Sequence, residues 1–443
     1  MTIRMDEGAA ELLDTLHRAG YAAYVVGGCV RDSLLGLTPH DWDLCTSALP
    51  QQGMELFGEE KCIPTGLQHG TVTVRQGGGL YEITTFRTEG TYTDGRHPDE
   101  VHFVPDVRED LARRDFTINA MAYNEKEGLV DPFGGQTDLQ SGILRAVGVP
   151  HQRFTEDALR ILRLYRFAAR FGFSIDPPTA QAAQELCAHL DCVSVERIEE
   201  ELAKLLSAPA PAAYLDEKIL GVVLPELSPE ALAAAKPVVD ACPAGERALP
   251  VRLAALLLSL GEDGTRRTLR SLRCSNACIE ETAVLVREVV SGVPGAFSSD
   301  TNRAIPSPAL LPAATGSHPS GRSSEKLPAR PPVSLNIYTR KLLGQYGLKT
   351  VQRLAALGTA LQPEHATDFA ALSELAEQLD ADGVCCRVSQ LAVNGRDLMA
   401  AGVPSGPGIR KVLEALLDGV IREEYPNERQ ALLTAVQIGR AHV

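Results

Sequence analysis

Asp41 and Asp43 lie two residues apart, shortly after a Gly27–Gly28 pair that closes a short apolar run. In an extended chain, residues i and i+2 face the same side. Asp41 and Asp43, interleaved with Trp42 and Leu44, are therefore expected to set two carboxylates side by side above a sheet. Two anions held that close repel unless a cation neutralises them, and hard oxygen donors suit Mg2+. A cation between carboxylates and phosphates is a standard means of stabilising phosphoryl or nucleotidyl transfer. The glycines supply the complement, because a Gly-Gly turn lets backbone amides approach a phosphate closely. Arg31, at the start of an expected short helix, can reach a triphosphate with charge-assisted hydrogen bonds. Taken alone, Asp-x-Asp is commonly surface charge and Gly-Gly commonly a turn. Their coincidence in one small unit points to a metal-dependent nucleotide site. The glycine pattern is neither that of a dinucleotide-binding fold nor a Walker motif.

These residues need a sheet to hold them. Tyr24–Val26 reads as a short strand running into the glycines, preceded by a helix over residues 9–19. Thr71–Arg75 and Leu80–Phe86 have strand composition, with Gln76–Gly79 as the turn of a β-hairpin. Residues 101–104 suggest a further strand and 116–123 a helix. After residue 150 the character changes. Thr155–Ala169 contains no Pro or Gly and carries a helical period, and helical composition recurs over 180–190, 195–207, 249–260 and 265–272. It returns over 338–357, 369–379 and 409–423. Between them, residues 300–333 carry seven prolines among many Ser, Thr, Ala and Gly, which reads as a flexible insertion or linker. The expected class is α+β, a small α/β head followed by helices.

The 443 residues suffice for several domains, and 44% hydrophobic with 23% charged content is ordinary for a globular protein. A net charge of -14 argues against nucleic-acid binding through bulk positive charge, so an RNA-binding reading must find a local basic patch. No apolar run approaches the roughly 18 residues of a membrane span, which argues against a membrane protein. The ten scattered cysteines form no CxxC motif and read as reduced thiols of a cytoplasmic protein.

The patch is found at residues 151–170, where five arginines (Arg153, Arg160, Arg163, Arg166, Arg170) face two acids, Glu156 and Asp157. Spacing of three places Arg160, Arg163 and Arg166 along one side of a helix. A solvated charged helix would show the same pattern. Arginine forks nonetheless pair with phosphates and base edges. A carboxylate beside an arginine, as in Asp157 and Arg160, offers the acceptor and donors that reading a Watson–Crick-like edge requires.

Read together, several segments resemble the class II tRNA nucleotidyltransferase and bacterial poly(A) polymerase family. They are Gly27-Gly28-x-x-Arg31-Asp32, Asp41-x-Asp43, Glu82–Arg87, Arg113–Ala120, Asp131–Gly135 and Glu156-Asp157-x-x-Arg160-x-x-Arg163-x-x-Arg166-Phe167. Asn394–Leu398 through Gly406–Gly408 is similar to the tail of CCA-adding enzymes. The resemblance implies a nucleotidyltransferase head (1–145), a helical neck with a nucleotide-selecting helix (146–205), a body (206–300), the insertion (301–333) and a tRNA-binding tail (334–443).

It also implies residue roles. Asp41 and Asp43 match metal-binding catalytic carboxylates, with Glu82 a third carboxylate or a supporting one. Gly28, Arg31 and Arg114 match contacts to the incoming nucleotide. Asp157 and Arg160 match a protein template for CTP and ATP, and Arg163 and Arg166 match further nucleotide or phosphate contacts. The implied partner is the 3′ end of tRNA, not DNA, and the implied reaction is untemplated CCA addition with release of pyrophosphate. CC-only or A-only addition and poly(A) synthesis are the nearest rivals, and a non-catalytic RNA-binding protein is a further one. The segment Thr88–Pro98 resembles the family's flexible loop, with His97 standing where a second arginine is expected.

Overall fold

The computed structural model describes residues 3–90, 101–290 and 335–439. The expected loop from 91 to 98, with His97, and the proline-rich 301–333 lie outside the described residues. The chain divides into two compact units, Met1–Pro225 and Glu226–Val443.

The first unit opens with helix α1 (Glu7–Arg18) and a mixed seven-stranded sheet. In chain order its strands are β1 (Ala23–Val26), β2 (Leu44–Thr46), β3 (Cys62–Gly66), β4 (Thr71–Gln76), β5 (Gly79–Thr85), β8 (Ala122–Asn124) and β9 (Gly128–Val130). Strands β6 (Arg87–Glu89) and β7 (Val101–Phe103) pair separately. Across the sheet the order is β3-β4-β5-β2-β1-β8-β9. All four residues of β1 are buried, as befits a central strand flanked on both sides. The β4–β5 hairpin closes through Gly77 and Gly78 at φ 57° and 85°. Both turn residues thus take the positive φ that a tight two-residue hairpin requires, which is why both are glycine.

Helices α2 (Gly28–Leu34), α3 (Pro50–Phe57), α4 (Val107–Ala112) and α5 (Gly135–Ser141) surround the sheet. Tyr24, Val26, Cys45, Phe86, Leu111, Ala122 and Val147 form one apolar cluster beneath it. The expected helix over 116–123 is absent. A single 3-10 turn at Thr117–Asn119 leads into β8, whose apolar Ala122 and Tyr123 pair with β1. Tertiary pairing overrides local helical preference there. The Asp131–Gly135 motif is a structural joint. Asp131 accepts from the amides of Gly135 and Gln136 at 2.7 and 2.9 Å, and a Cβ on Gly135 would lie 2.2 Å from the Thr117 carbonyl oxygen.

The unit continues through α6 (Pro150–Glu156), α7 (Leu159–Phe171), α8 (Pro177–Leu186), α9 (Val195–Leu206) and α10 (Glu217–Val223). The expected uninterrupted helix over 155–169 is broken at Asp157, which adopts φ -144°, ψ 104°. Its carboxylate accepts from the Leu159 amide at 3.1 Å, a capping bond that starts the second helix. Leu159, Ile161, Leu162, Leu164 and Phe167 are buried, as the helical period requires. Residues 206–225, placed with the body in the expected division, group here with the first unit.

The second unit is helical throughout its described residues: α11 (Pro229–Ala241), α12 (Leu249–Leu257), α13 (Gly261–Ser271), α14 (Asn276–Val290), α15 (Leu335–Tyr346), α16 (Leu348–Leu361), α17 (Ala366–Ala381), α18 (Gly395–Ala400), α19 (Gly408–Ile421) and α20 (Arg429–Gln437). Leu398, Val412, Leu416, Val420, Leu432 and Val436 make a core near its end. The Asn394–Leu398 motif works locally as a capping box. Asn394 accepts from the Arg396 amide at 2.9 Å, while Asp397 accepts from the Asn394 amide at 2.9 Å. The head is therefore mixed α/β and the remainder helical apart from the two-residue strand Ser174–Ile175, matching the expected class. Among the described residues, no helix is long and apolar enough to cross a membrane.

Candidate active site

The site forms where β1 ends and β2 begins. The Val26 amide donates to the Asp43 carbonyl at 2.9 Å, so the glycine turn starts beside the carboxylate pair. Along Asp41–Leu44 the chain alternates exposed, buried, exposed, buried, placing both carboxylates on the open face while Trp42 and Leu44 pack inward. Glu82 joins them through sheet register. Strands β2 and β5 run parallel with Leu44 opposite Ile83, which brings the preceding residues, Asp43 and Glu82, alongside one another. Loss of water, then the negative charge of Glu82 and Asp41, raises the Asp43 carboxyl above its ordinary value, with Arg114 opposing.

A carboxylate unsettled by two others is chemically suited to a divalent cation. Among the described residues no cluster of three or more ligating side chains closes on one point. Mg2+ is commonly held by one or two carboxylates plus water and substrate phosphates, so Asp41 and Asp43 fit it in that manner.

Gly27, at φ 77°, caps α2 without a side-chain bond, and a Cβ there would lie 2.9 Å from Arg114 Nη1. Glycine at this point thus serves both the turn and the close approach of Arg114. Gly28 opens α2, whose first-turn amides carry the partial positive charge that attracts a phosphate. Arg31 is 4% exposed and held on every side. It donates to Asp32 at 2.8 Å and to Asn119 at 2.6 Å, and its guanidinium stacks over Phe167 and Phe171 at 5.2 and 4.9 Å. It therefore ties the glycine turn to α7. Arg114 leans on fully buried Asp110 at 3.4 Å. Burial alone would raise the Asp110 carboxyl, but Arg113 and Arg114 hold it below the usual range.

The arginines of the local basic patch are paired with carboxylates. Arg153, Arg160 and Arg166 are buried, and each faces a carboxylate. Arg160 donates to Glu156 at 2.8 Å and to the Arg113 carbonyl at 3.1 Å. Arg163 donates to Asp115 at 2.9 and 2.6 Å. Arg166 donates to Glu201 at 2.5 Å and packs 3.9 Å above the Phe167 ring. Burial would raise the Asp115 carboxyl, yet Arg163 beside it, a hydrogen bond from Asn119 and Arg160 nearby hold it down at about 2. The physical reason is desolvation, since a buried guanidinium without a counter-charge is costly; Arg153 and Arg160 share Glu156, and Arg166 has Glu201. Asp157, expected to work beside Arg160, has its second oxygen on Arg197 at 2.8 Å.

Every sequence-derived site residue thus lies within the first unit. Sequence reasoning did not assign roles to Asp110, Asp115, Asn119, Glu156, Arg197 and Glu201. Asp115 and Asn119 fall inside the Arg113–Ala120 motif, and Glu156 adjoins the template pair. Arg197 and Glu201 sit in an acidic helical run that reads as a solvated face.

Residues 23–145 match the poly A polymerase head domain, 172–230 the probable RNA- and SrmB-binding site of polymerase A, and 336–436 tRNA nucleotidyltransferase domain 2. The chain is 34% identical over 438 residues to the CCA-adding enzyme of Lactiplantibacillus plantarum, covering 96% of this chain and 95% of that one. It is 35% identical to the CCA-adding enzyme of Limosilactobacillus fermentum, with 97% and 96% covered. It is also similar to the crystal structure of the Bacillus stearothermophilus CCA-adding enzyme in complex with CTP, with a TM-score of 0.77, 30% identity and 98% of each chain covered.

Proposed function

Because the chain belongs to the CCA-adding enzyme family, we propose that its first unit adds C, C and A in turn to the 3′ end of tRNA, using CTP and ATP. The observation that carries this reading is the bond from Val26 to Asp43, which sets a glycine phosphate turn against a carboxylate pair. The tRNA 3′-hydroxyl attacks the α-phosphate of the bound nucleotide, and pyrophosphate leaves. When bound, Mg2+ held by Asp41 and Asp43 supplies positive charge to the attacking oxygen and the α-phosphate. Glu82 keeps that pocket anionic enough to favour a divalent cation. The amides opening α2 at Gly28 receive the triphosphate. Arg31 holds the turn rigid from behind, and Arg114 reaches the same face beside Gly27.

Asp157 accepts from the exocyclic amino group of C or A, and Arg160 donates to the adjoining ring position. Arg163 and Arg166 align that wall through Asp115 and Glu201. Residues 1–145 act as head, 146–205 as neck, 206–300 as body and 334–443 as tail, the last three carrying tRNA by its shape. The ten cysteines, none in a disulfide, accord with a cytoplasmic location.

The deciding experiment supplies tRNAs lacking CCA, CA or A with CTP and ATP, separately and together. Completion of all three substrates is expected. Extension of the CC-ended tRNA alone would reassign the enzyme to A addition, and failure with every substrate would sink the reading.

A further inference from the structure

We propose that Arg197 is a positioning residue for base choice, holding the Asp157 carboxylate so that the site takes amino-bearing C and A and refuses keto-bearing U and G. The inference rests on the reading of Asp157 as the base-selecting acceptor. Asp157 lies at the break between α6 and α7, where backbone helix geometry does not fix its side chain. Two contacts fix it instead. One carboxylate oxygen accepts from the Leu159 amide at 3.1 Å and the other from Arg197 Nη2 at 2.8 Å.

The brace is built for this. Arg197 and Glu201 are four apart on α9 and so share a helix face. That face places a cation on Asp157 and an anion on Arg166, holding both ends of the selecting wall from one helix. The Asp157 and Arg197 side chains are 15% and 24% exposed, so the pair is largely sheltered from screening while an edge of the carboxylate still meets solvent. Arg197 Nη1 is buried and has no hydrogen-bond partner among the described residues. A donor left unsatisfied costs stability.

The chemistry follows from donor and acceptor counts. An ionised carboxylate has lone pairs only, and two are occupied by Leu159 and Arg197. Those remaining accept an amino N–H, which cytosine and adenine present where uracil and guanine present a carbonyl oxygen. A carbonyl set against a fixed, desolvated carboxylate leaves both groups unpaired, and sites of that kind discriminate strongly. Released from Arg197, the carboxylate keeps only the Leu159 amide contact and can swing aside. The penalty on a keto base then falls while the transferring machinery at Asp41 and Asp43 stays intact.

The test measures kcat and KM for CTP and UTP on tRNA lacking CCA, with wild type, R197A, R197K, D157A and the R197A/D157A double variant. R197A is expected to lower the CTP-over-UTP ratio of kcat/KM by roughly tenfold or more, through a higher KM for CTP and a lower KM for UTP. R197K, which keeps the charge without the fork, is expected to recover part of that ratio. The double variant is expected to match D157A alone, since Arg197 acts through Asp157. If D157A discriminates normally, the template reading itself fails. If D157A loses discrimination while R197A and R197K slow CTP and UTP equally, Arg197 is only a structural strut and the proposal is overturned. Should R197A not fold, R197K decides by the same ratio, and unchanged selectivity there overturns it.

Discussion

Replacing Asp115 with Asn removes the charge that Arg163 is built around, and the cost can be worked from the structure. The carboxyl is held at about 2, against about 3.9 for an ordinary Asp in an unfolded chain. That difference of nearly two units, at about 1.4 kcal/mol each, gives about 2.5 kcal/mol of stability at neutral pH. The sign is that of a depressed carboxylate: the contribution is complete above the unfolded value and is lost as pH falls toward the folded one. The gap between wild type and D115N is therefore expected to stay near 2.5 kcal/mol from pH 7 to 5. It should shrink to about half that by pH 3. The assay is urea unfolding followed by tryptophan fluorescence. Trp42 is the sole tryptophan and is buried in the first unit, so the signal reports the unit that contains Asp115. A gap under about 0.5 kcal/mol at pH 7, or one that persists undiminished at pH 3, would refute the assignment of that stability to the Asp115–Arg163 pair.

D41A and D43A should each reduce nucleotide transfer by about a thousandfold or more while leaving circular dichroism unchanged, and near-normal incorporation of labelled CTP in either would break the metal assignment. Chelation of divalent cations should abolish transfer, with Mg2+ restoring it, as turnover with CTP after dialysis would reveal. R166A should destabilise the first unit by about 3 kcal/mol, because it leaves Glu201, which is 5% exposed, with only the longer 3.8 Å contact to Arg163. The Trp42 transition in urea measures this, and a loss confined to nucleotide KM would instead favour direct contact. G135A should cost roughly 2 kcal/mol or more, since its new methyl would meet the Thr117 carbonyl oxygen at 2.2 Å. A melting temperature within a degree of wild type would show that the joint relaxes easily.

Much of the frame was legible in sequence because it rests on local rules. The Gly77–Gly78 hairpin turn, the apolar β1 strand and the alternation of Asp41–Leu44 follow from backbone sterics and period-two geometry, and all are present. The helical period after residue 155 was readable for the same reason. The break at Asp157 was not, because a run without Pro or Gly gives no sign that a carboxylate will cap the helix beginning two residues later. The 116–123 segment misled because pairing of Ala122 with Val26, a contact distant in sequence, decided its conformation.

By itself, then, the sequence determined which residue types are on hand for the proposed chemistry. Residue types limit the chemistry that is available, and carboxylates two apart share one side of any extended segment because of backbone geometry alone. Tertiary structure alone decided which groups answer one another. Parallel register put Glu82 beside Asp43, burial demanded a counter-charge for each arginine of the stripe, and α9 brought Arg197 to Asp157. Those pairings span long stretches of chain, and their strength comes from shared exclusion of water, a property of the packed molecule and not of any segment.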